Sequence, residues 1–315
     1  MKEQKLKLFS GSSHPVLAAS VSKILGIPLS PMDIRRFACR EIYAKPMESV
    51  RNADVFVIQT GTQNVNEELM ELFIMLDSFK RSFAANIHVV MPYFPYSRQD
   101  RVASPREPIT AKLMADLISK AGADHVITFT LHSDQEQGFF DFPVDNLSAR
   151  TLFAQYFKKK NLRGITVVAP DVGSAKEAQR LAKVLGAELA ILNKVRATHN
   201  VSEVTHLVGN VENRTCILYD DLVDTAGSVT NGIAVLRKHK AKKDIYLAAT
   251  HPVLSLNAHE KLKKADFKEI IFTDTIPVPK DKKLPNMKIL SVAPLIAAVI
   301  SNIHEGKPVT PLINL

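Results

Sequence analysis

Short apolar runs rich in β-branched residues recur along the whole chain, and stretches with helical spacing separate them. The runs are Leu6–Phe9, Val55–Thr60, Ile87–Pro92, His125–Thr130, Ile165–Ala169, Leu189–Leu192, Thr215–Tyr219, Ile245–Thr250 and Ile270–Thr273. Most are nearly continuous in apolar character rather than alternating, as expected of strands covered on both faces. Between them, Leu69, Leu72, Phe73, Leu76 and Phe79 follow helical spacing, with Asn66 as a candidate N-cap. Ile109 to Ala121 and Ser174 to Leu185 each run into a glycine, Gly122 and Gly186, as helices often do. Strand–helix–strand order of this kind predicts an α/β protein: two similar domains, each a mainly parallel sheet flanked by helices.

The 315 residues suit two domains at about 100–200 residues each. The polar, proline-containing stretch Pro143 to Ser148 is the natural boundary, giving domains 1–146 and 147–315. Two distant cysteines, Cys39 and Cys216, exclude a disulfide or zinc framework and suit reduced thiols in a cytoplasmic protein. Lys2, Lys5 and Lys7 are followed by a polar segment rather than an apolar one, so no secretory leader is predicted. Leu290 to Ile300, the most apolar late stretch, is too short for a bilayer, which needs about 20 residues. The net charge of +9 suits anionic partners such as nucleotides or sugar phosphates. The lysine clusters at 158–160, 238–243 and 261–264 lack interleaved aromatics and read as solvated faces, so neither nucleic acid nor membrane is expected as a partner.

A Walker-type phosphate loop, a dinucleotide-binding glycine fingerprint and a His-Glu-x-x-His metal helix are all missing. The most informative stretch is Cys216 to Ser228, where an apolar strand runs into Asp220 and Asp221, and Asp224-Thr225-Ala226-Gly227-Ser228 then leads into a helix expected from Val229. Backbone N–H groups of Thr225 to Ser228 at a helix N-terminus can bind a phosphate dianion, and Gly227 permits close approach. Asp220 and Asp221 accept hydrogen bonds only, which suits sugar hydroxyls or a cation. A phosphorylated sugar would use both ends of this loop.

That stretch resembles the phosphoribosyl-pyrophosphate (PRPP) motif of the type I phosphoribosyltransferase fold. The first half narrows the resemblance. Pro92 to Arg101, Arg106 to Lys112, Leu131-His132 and Gln137 to Asp141 look like signature segments of the ribose-phosphate pyrophosphokinases, as do His251 to Ser255 and Ser291 to Leu295. The resemblance implies diphosphoryl transfer from ATP to the C1 hydroxyl of ribose 5-phosphate, with Mg2+ as cofactor and a homo-oligomer, hexamer or dimer, as the working form.

By the same resemblance, Phe37 and Glu41 lie near the adenine, supplied by a neighbouring subunit, and Arg98, Gln99 and Asp100 hold the nucleotide. His132 and Asp171 belong to the magnesium site, and His132 also to the ATP site. Lys194 and Arg196, on a loop after Leu189–Leu192, are the implied catalytic cations. Asp220, Asp221, Asp224, Thr225, Ala226, Gly227 and Ser228 hold ribose 5-phosphate. The chain departs from the usual family pattern at Cys39-Arg40, where an acid or amide and then glycine are common, and at Thr130, where aspartate is usual. The competing readings are a phosphoribosyltransferase, against which Pro92 to Lys112 argues, and a non-catalytic paralog, against which the retained Lys194, Arg196 and acidic loop argue. An RNA-binding regulator on the same fold would need a contiguous basic face.

Overall fold

Parallel strands dominate both halves of the computed structural model, which describes residues 5–195 and 204–313. The chain divides into two units: Met1–Ser148 with Thr275–Pro277 and Ser291–Leu315, and Ala149–Asp274 with Val278–Leu290.

The first unit begins with β1 (Lys5–Ser10), α1 (Pro15–Leu25) and a hairpin of β2 (Met32–Arg36) and β3 (Ile42–Pro46). It continues through β4 (Ala53–Ile58), α2 (Val65–Arg81), β5 (Asn86–Met91), α3 (Thr110–Ala121), β6 (His125–Phe129) and β7 (Val144–Leu147). Its five-stranded sheet has the order β1-β4-β5-β6-β7, every pair parallel. Every residue of β4 is buried, which explains its unbroken apolar run.

In α2, Leu69, Leu72, Met75, Leu76 and Phe79 face the core, and Phe73 is only partly buried. The helix starts one residue before the expected cap: Asn64 is the N-cap, and Asn66, inside the first turn, accepts a hydrogen bond from the Tyr96 hydroxyl instead.

The second unit comprises α4 (Arg150–Lys159), β8 (Ile165–Ala169), α5 (Ala175–Leu185), β9 (Glu188–Val195), β10 (Val204–Val208) and β11 (Thr215–Val223). It goes on to α6 (Gly227–Lys238), β12 (Ile245–Pro252), α7 (Ala258–Lys264), β13 (Glu269–Thr273) and β14 (Met287–Leu290). The seven-stranded order is β10-β9-β8-β11-β12-β13-β14, parallel except for the edge pair β10–β9. From β8 the chain builds outward to β9, and from β11 it builds the other way to β12. The sheet therefore reverses direction between β8 and β11, and in open α/β sheets ligands bind beyond the strand ends at such a point.

All nine expected strands are present. The main division falls after Ser148, within the stretch 143–148 read as the boundary, but that stretch also holds β7, which pairs in register with β6, Val126 opposite Val144 and Phe129 opposite Leu147. Strand pairing outweighs the polar character of this segment. Residues 291–315, read from sequence with the second domain, fall in the first unit. There α8 (Ala293–His304) buries Ile296, Val299 and Ile300, each worth about 1.5–3 kcal/mol, and packs against α1.

A polar chain anchors the end of α8. His304 Nδ1 lies 3.0 Å from Asp54 Oδ2, His88 Nε2 lies 3.0 Å from Asp54 Oδ1, and Asn86 donates to the same oxygen at 3.2 Å. These partners hold the Asp54 carboxyl down at about 2, against a burial effect that acts the other way. No helix among the described residues is long and apolar enough to cross a membrane.

Candidate active site

β11 keeps β8 as a neighbour only from Thr215 to Leu218, but stays paired with β12 as far as Val223. Asp220 and Asp221 thus continue the strand beyond the end of β8 rather than opening a loop, and they sit at the point where the sheet reverses. Asp171, two residues past β8, acts electrostatically on Asp220. Burial and the like charges of Asp221 and Asp171 push the Asp220 carboxyl well above its ordinary range. A carboxylate in such surroundings favours a cation or a hydroxyl donor.

The Asp171 carboxylate also shapes its own loop. Its Oδ1 accepts from the Ser174 backbone N–H at 2.9 Å, at the entrance to α5. Among the described residues no group of three histidine, cysteine, aspartate or glutamate side chains is arranged to enclose a metal ion. Hard carboxylate oxygens that crowd one another still suit magnesium, which takes its remaining ligands from water and phosphate.

The loop after β11 is tied from one side. Ser255 donates its hydroxyl to Asp224 Oδ1 and its backbone N–H to the Asp224 carbonyl at 3.1 Å. Lys261 Nζ donates to the Thr225 carbonyl at 3.1 Å. Lys261 belongs to a cluster expected to be a solvated face; here it braces the loop. The helix begins two residues earlier than expected, at Gly227, with Ala226 as N-cap at φ 61°, a backbone region costly for any side chain. A Cβ added at Gly227 would meet only Thr225 Oγ1, at 3.8 Å. Packing within the chain does not demand glycine there, which leaves space for a ligand against the backbone.

In the first unit, Phe37 and Glu41 sit exposed at the β2–β3 tip, where the Phe37 N–H donates to the Glu41 carbonyl at 2.9 Å. Arg40 lies there at φ 75°, a conformation comfortable for glycine, the residue usual at this position by resemblance. Arg98 and Gln99 are exposed and Asp100 is half-buried. Gln99 is held to the start of α3 by the Thr110 hydroxyl, 2.6 Å from its Oε1. His132, which is exposed, and the half-buried Asp100 both act electrostatically on the buried Glu136. Burial pushes the Glu136 carboxyl up to about 7, opposed by hydrogen bonds from Ser97 and Ser133.

Lys194, expected on a loop, has its backbone in β9, opposite Thr205 of β10, because that edge pairing lengthens the strand. Arg196 lies outside the described residues. Sequence reasoning missed Ser97, Glu136, Ser255 and Lys261. Ser133-x-x-Glu136 carries a capping-box spacing that could have drawn attention to Glu136. Ser97 and Ser255 lie within segments that carry the family resemblance and Lys261 within a lysine cluster, but nothing local marks the partners they meet.

Residues 6–122 match the model for the N-terminal domain of ribose phosphate pyrophosphokinase, and residues 195–314 match that for the phosphoribosyl synthetase-associated domain. A ribose-phosphate pyrophosphokinase of Caldanaerobacter subterraneus subsp. tengcongensis is 48% identical, over 98% of this chain and 97% of the relative. The chain belongs to the ribose-phosphate pyrophosphokinase family. The enzyme of that name from Bacillus subtilis is 44% identical over 98% of each chain. The crystal structure of phosphoribosylpyrophosphate synthetase from Mycobacterium smegmatis superimposes with a TM-score of 0.92 at 40% identity, covering 96% of this chain and 100% of that one. The family assignment excludes the phosphoribosyltransferase alternative.

Proposed function

We propose that the reversal point of the seven-stranded sheet holds ribose 5-phosphate and that the loops around Arg98 and His132 hold ATP. The reaction is that of the family: the C1 hydroxyl of the sugar attacks the β-phosphorus of ATP, and AMP leaves as PRPP forms. The observation that carries the sugar assignment is the join of unlike chemistries at one strand end. Asp220 and Asp221 suit hydroxyls, and the Asp224–Ser228 backbone at the N-terminus of α6 suits a phosphate.

In this reading Thr225 to Ser228 grip the 5-phosphate through backbone N–H groups, with the Thr225 and Ser228 hydroxyls adding donors. The open space at Gly227 admits it, and Ser255 and Lys261 hold the loop in place. Asp171 is a proposed contact for magnesium, which would neutralise phosphate charge, and the family resemblance proposes the same role for His132. Arg98, Gln99 and Asp100 bind the nucleotide. Phe37 and Glu41, contributed by a second copy, contact the base. Lys194 and Arg196 stabilise charge developing on the transferred group, since positioning and electrostatics supply most of the catalysis in phosphoryl transfer.

Self-association is supported by the exposed apolar stripe of Ile109, the N-cap of α3, with Leu113 and Leu117 on the helix. A cytoplasmic setting is supported by the unpaired thiols of Cys39 and Cys216.

The test is AMP release from ATP and magnesium with and without ribose 5-phosphate, in the parent and in Lys194→Ala. AMP is expected only with the sugar. The variant is expected to lose about three orders of magnitude in kcat with little change in KM, because its charge is needed mainly in the transition state. A variant with near-parental kcat overturns the role given to Lys194. Folded parent protein that releases no AMP revives the non-catalytic paralog.

A further inference from the structure

Glu136 is wholly buried, in the short helical turn Asp134–Phe139, and nothing in the proposed reaction uses it. Its hydrogen bonds reach in two directions. Ser133 donates its backbone N–H to Glu136 Oε1 at 2.8 Å. The Ser97 hydroxyl, 39 residues away in sequence and 3% exposed, lies 2.6 Å from Oε2 and 2.8 Å from Oε1. The same Ser97 oxygen accepts the backbone N–H of His132 at 3.0 Å. Ser97 immediately precedes Arg98-Gln99-Asp100, and Glu136 closes the turn that follows His132. One hydroxyl and one carboxylate therefore join the two loops that carry four of the nucleotide residues proposed above.

A carboxylate that served only to cap the Asp134–Phe139 turn could do so from the surface. Burying it completely costs several kcal/mol unless its hydrogen bonds are met, so a site that keeps one there spends stability on a fixed geometry. Both carboxylate oxygens are engaged, and the Ser97 hydroxyl is used as donor and acceptor at once. That leaves little freedom for either loop to slide against the other.

We propose that Glu136 and Ser97 form a buckle that positions Arg98, Gln99, Asp100 and His132 for ATP, making Glu136 a positioning residue for the nucleotide half of the reaction. This rests on the assignment of those four residues to the nucleotide.

The test measures KM for ATP and for ribose 5-phosphate separately in Glu136→Ala, Glu136→Asp, Glu136→Gln and Ser97→Ala, with circular dichroism melts to establish folding. Arg98→Ala and His132→Ala are measured beside them. Glu136→Ala is expected to raise KM for ATP about tenfold, the effect of about one lost charged hydrogen bond, while KM for ribose 5-phosphate stays within about twofold. Ser97→Ala moves it the same way. Glu136→Gln, which keeps the shape and an acceptor oxygen, returns KM for ATP to within about threefold of the parent. Glu136→Asp, which keeps the charge but shortens the reach, supplies the same split if the alanine variant does not fold. An equal rise in both KM values, or no rise in folded variants while Arg98→Ala and His132→Ala do raise KM for ATP, overturns the buckle. If Arg98→Ala and His132→Ala leave KM for ATP unchanged, the nucleotide assignment falls first, and the buckle with it.

Discussion

Asp54 and Asp220 are both acids on interior parallel strands of their sheets, and their surroundings treat them oppositely. Asp54 is the second residue of β4, at the end where the strand begins, and two imidazoles and an amide hold its carboxyl at about 2. Asp220 lies toward the finishing end of β11, where its electrostatic neighbours are Asp221 and Asp171 and its carboxyl is driven up. The difference also follows sheet topology. The first sheet adds β4 to β7 steadily in one direction from β1, whereas the second reverses between β8 and β11. Asp54 is the more buried of the two, so burial alone does not mark a working carboxylate. A buried acid supplied with positive or donor partners is a structural clasp; one crowded by its own kind at a reversal point is waiting for something from outside the chain.

The sharpest way to break this contrast is to neutralise each acid. Asp220→Asn is expected to lower kcat/KM for ribose 5-phosphate by about two orders of magnitude while leaving stability equal or higher, because a like-charge contact is removed. Asp54→Asn is expected to do the reverse, costing roughly 2–3 kcal/mol in urea unfolding with kcat of the folded enzyme unchanged. Steady-state kinetics and unfolding curves that swapped these outcomes would reverse the two roles.

Glu136 sharpens the comparison as a third case: partnered, but by neutral donors. Its folded value, about 7, stands above the ordinary 4.5, so its ionisation costs stability as pH rises from about 4.5 through 7. Glu136→Gln removes that cost. The variant is expected to match the parent near pH 4.5 and to exceed it at pH 8 by at most about 3 kcal/mol. Equal stability across that range would mean the carboxylate is better solvated than its burial implies.

The smallest effect expected is the acid limb of Asp54. Its folded value lies below 3.8, so its contribution, about 2 kcal/mol, is present above about pH 4 and drains as pH falls toward 2. Stability measured from pH 5 downward should fall less steeply in Asp54→Asn than in the parent.

Much of this was legible from residues alone. Eight of the nine expected strands lie inside their sheets and carry nearly continuous apolar runs, and the edge strand β1 was found by its run Leu6–Phe9. The other edge and hairpin strands, β2, β3, β7, β10 and β14, carry mixed residues and escaped, β7 within the polar stretch read as a domain boundary. In the proposed site, Asp220-Asp221 and the Asp224–Ser228 loop stood out because one short segment joins carboxylates to hydroxyl and backbone donors at a helix N-terminus. Ser97 and Glu136, or Asp224 and Ser255, have no common local signal, since 39 and 31 residues separate the partners.

The α/β class, the positions of the main strands, the family and the donor and acceptor character of the Asp220–Ser228 segment were all readable from residue order, because each is written in periodicity or in contiguous residues. It took the folded chain to show that 291–315 returns to the first unit, that the acids extend a strand past the end of its neighbour, and that Asp54 is clasped while the half-buried Asp220 is crowded. Those outcomes depend on which side chains meet across the sheet, and a linear order of residues does not fix the electrostatic company a buried charge keeps.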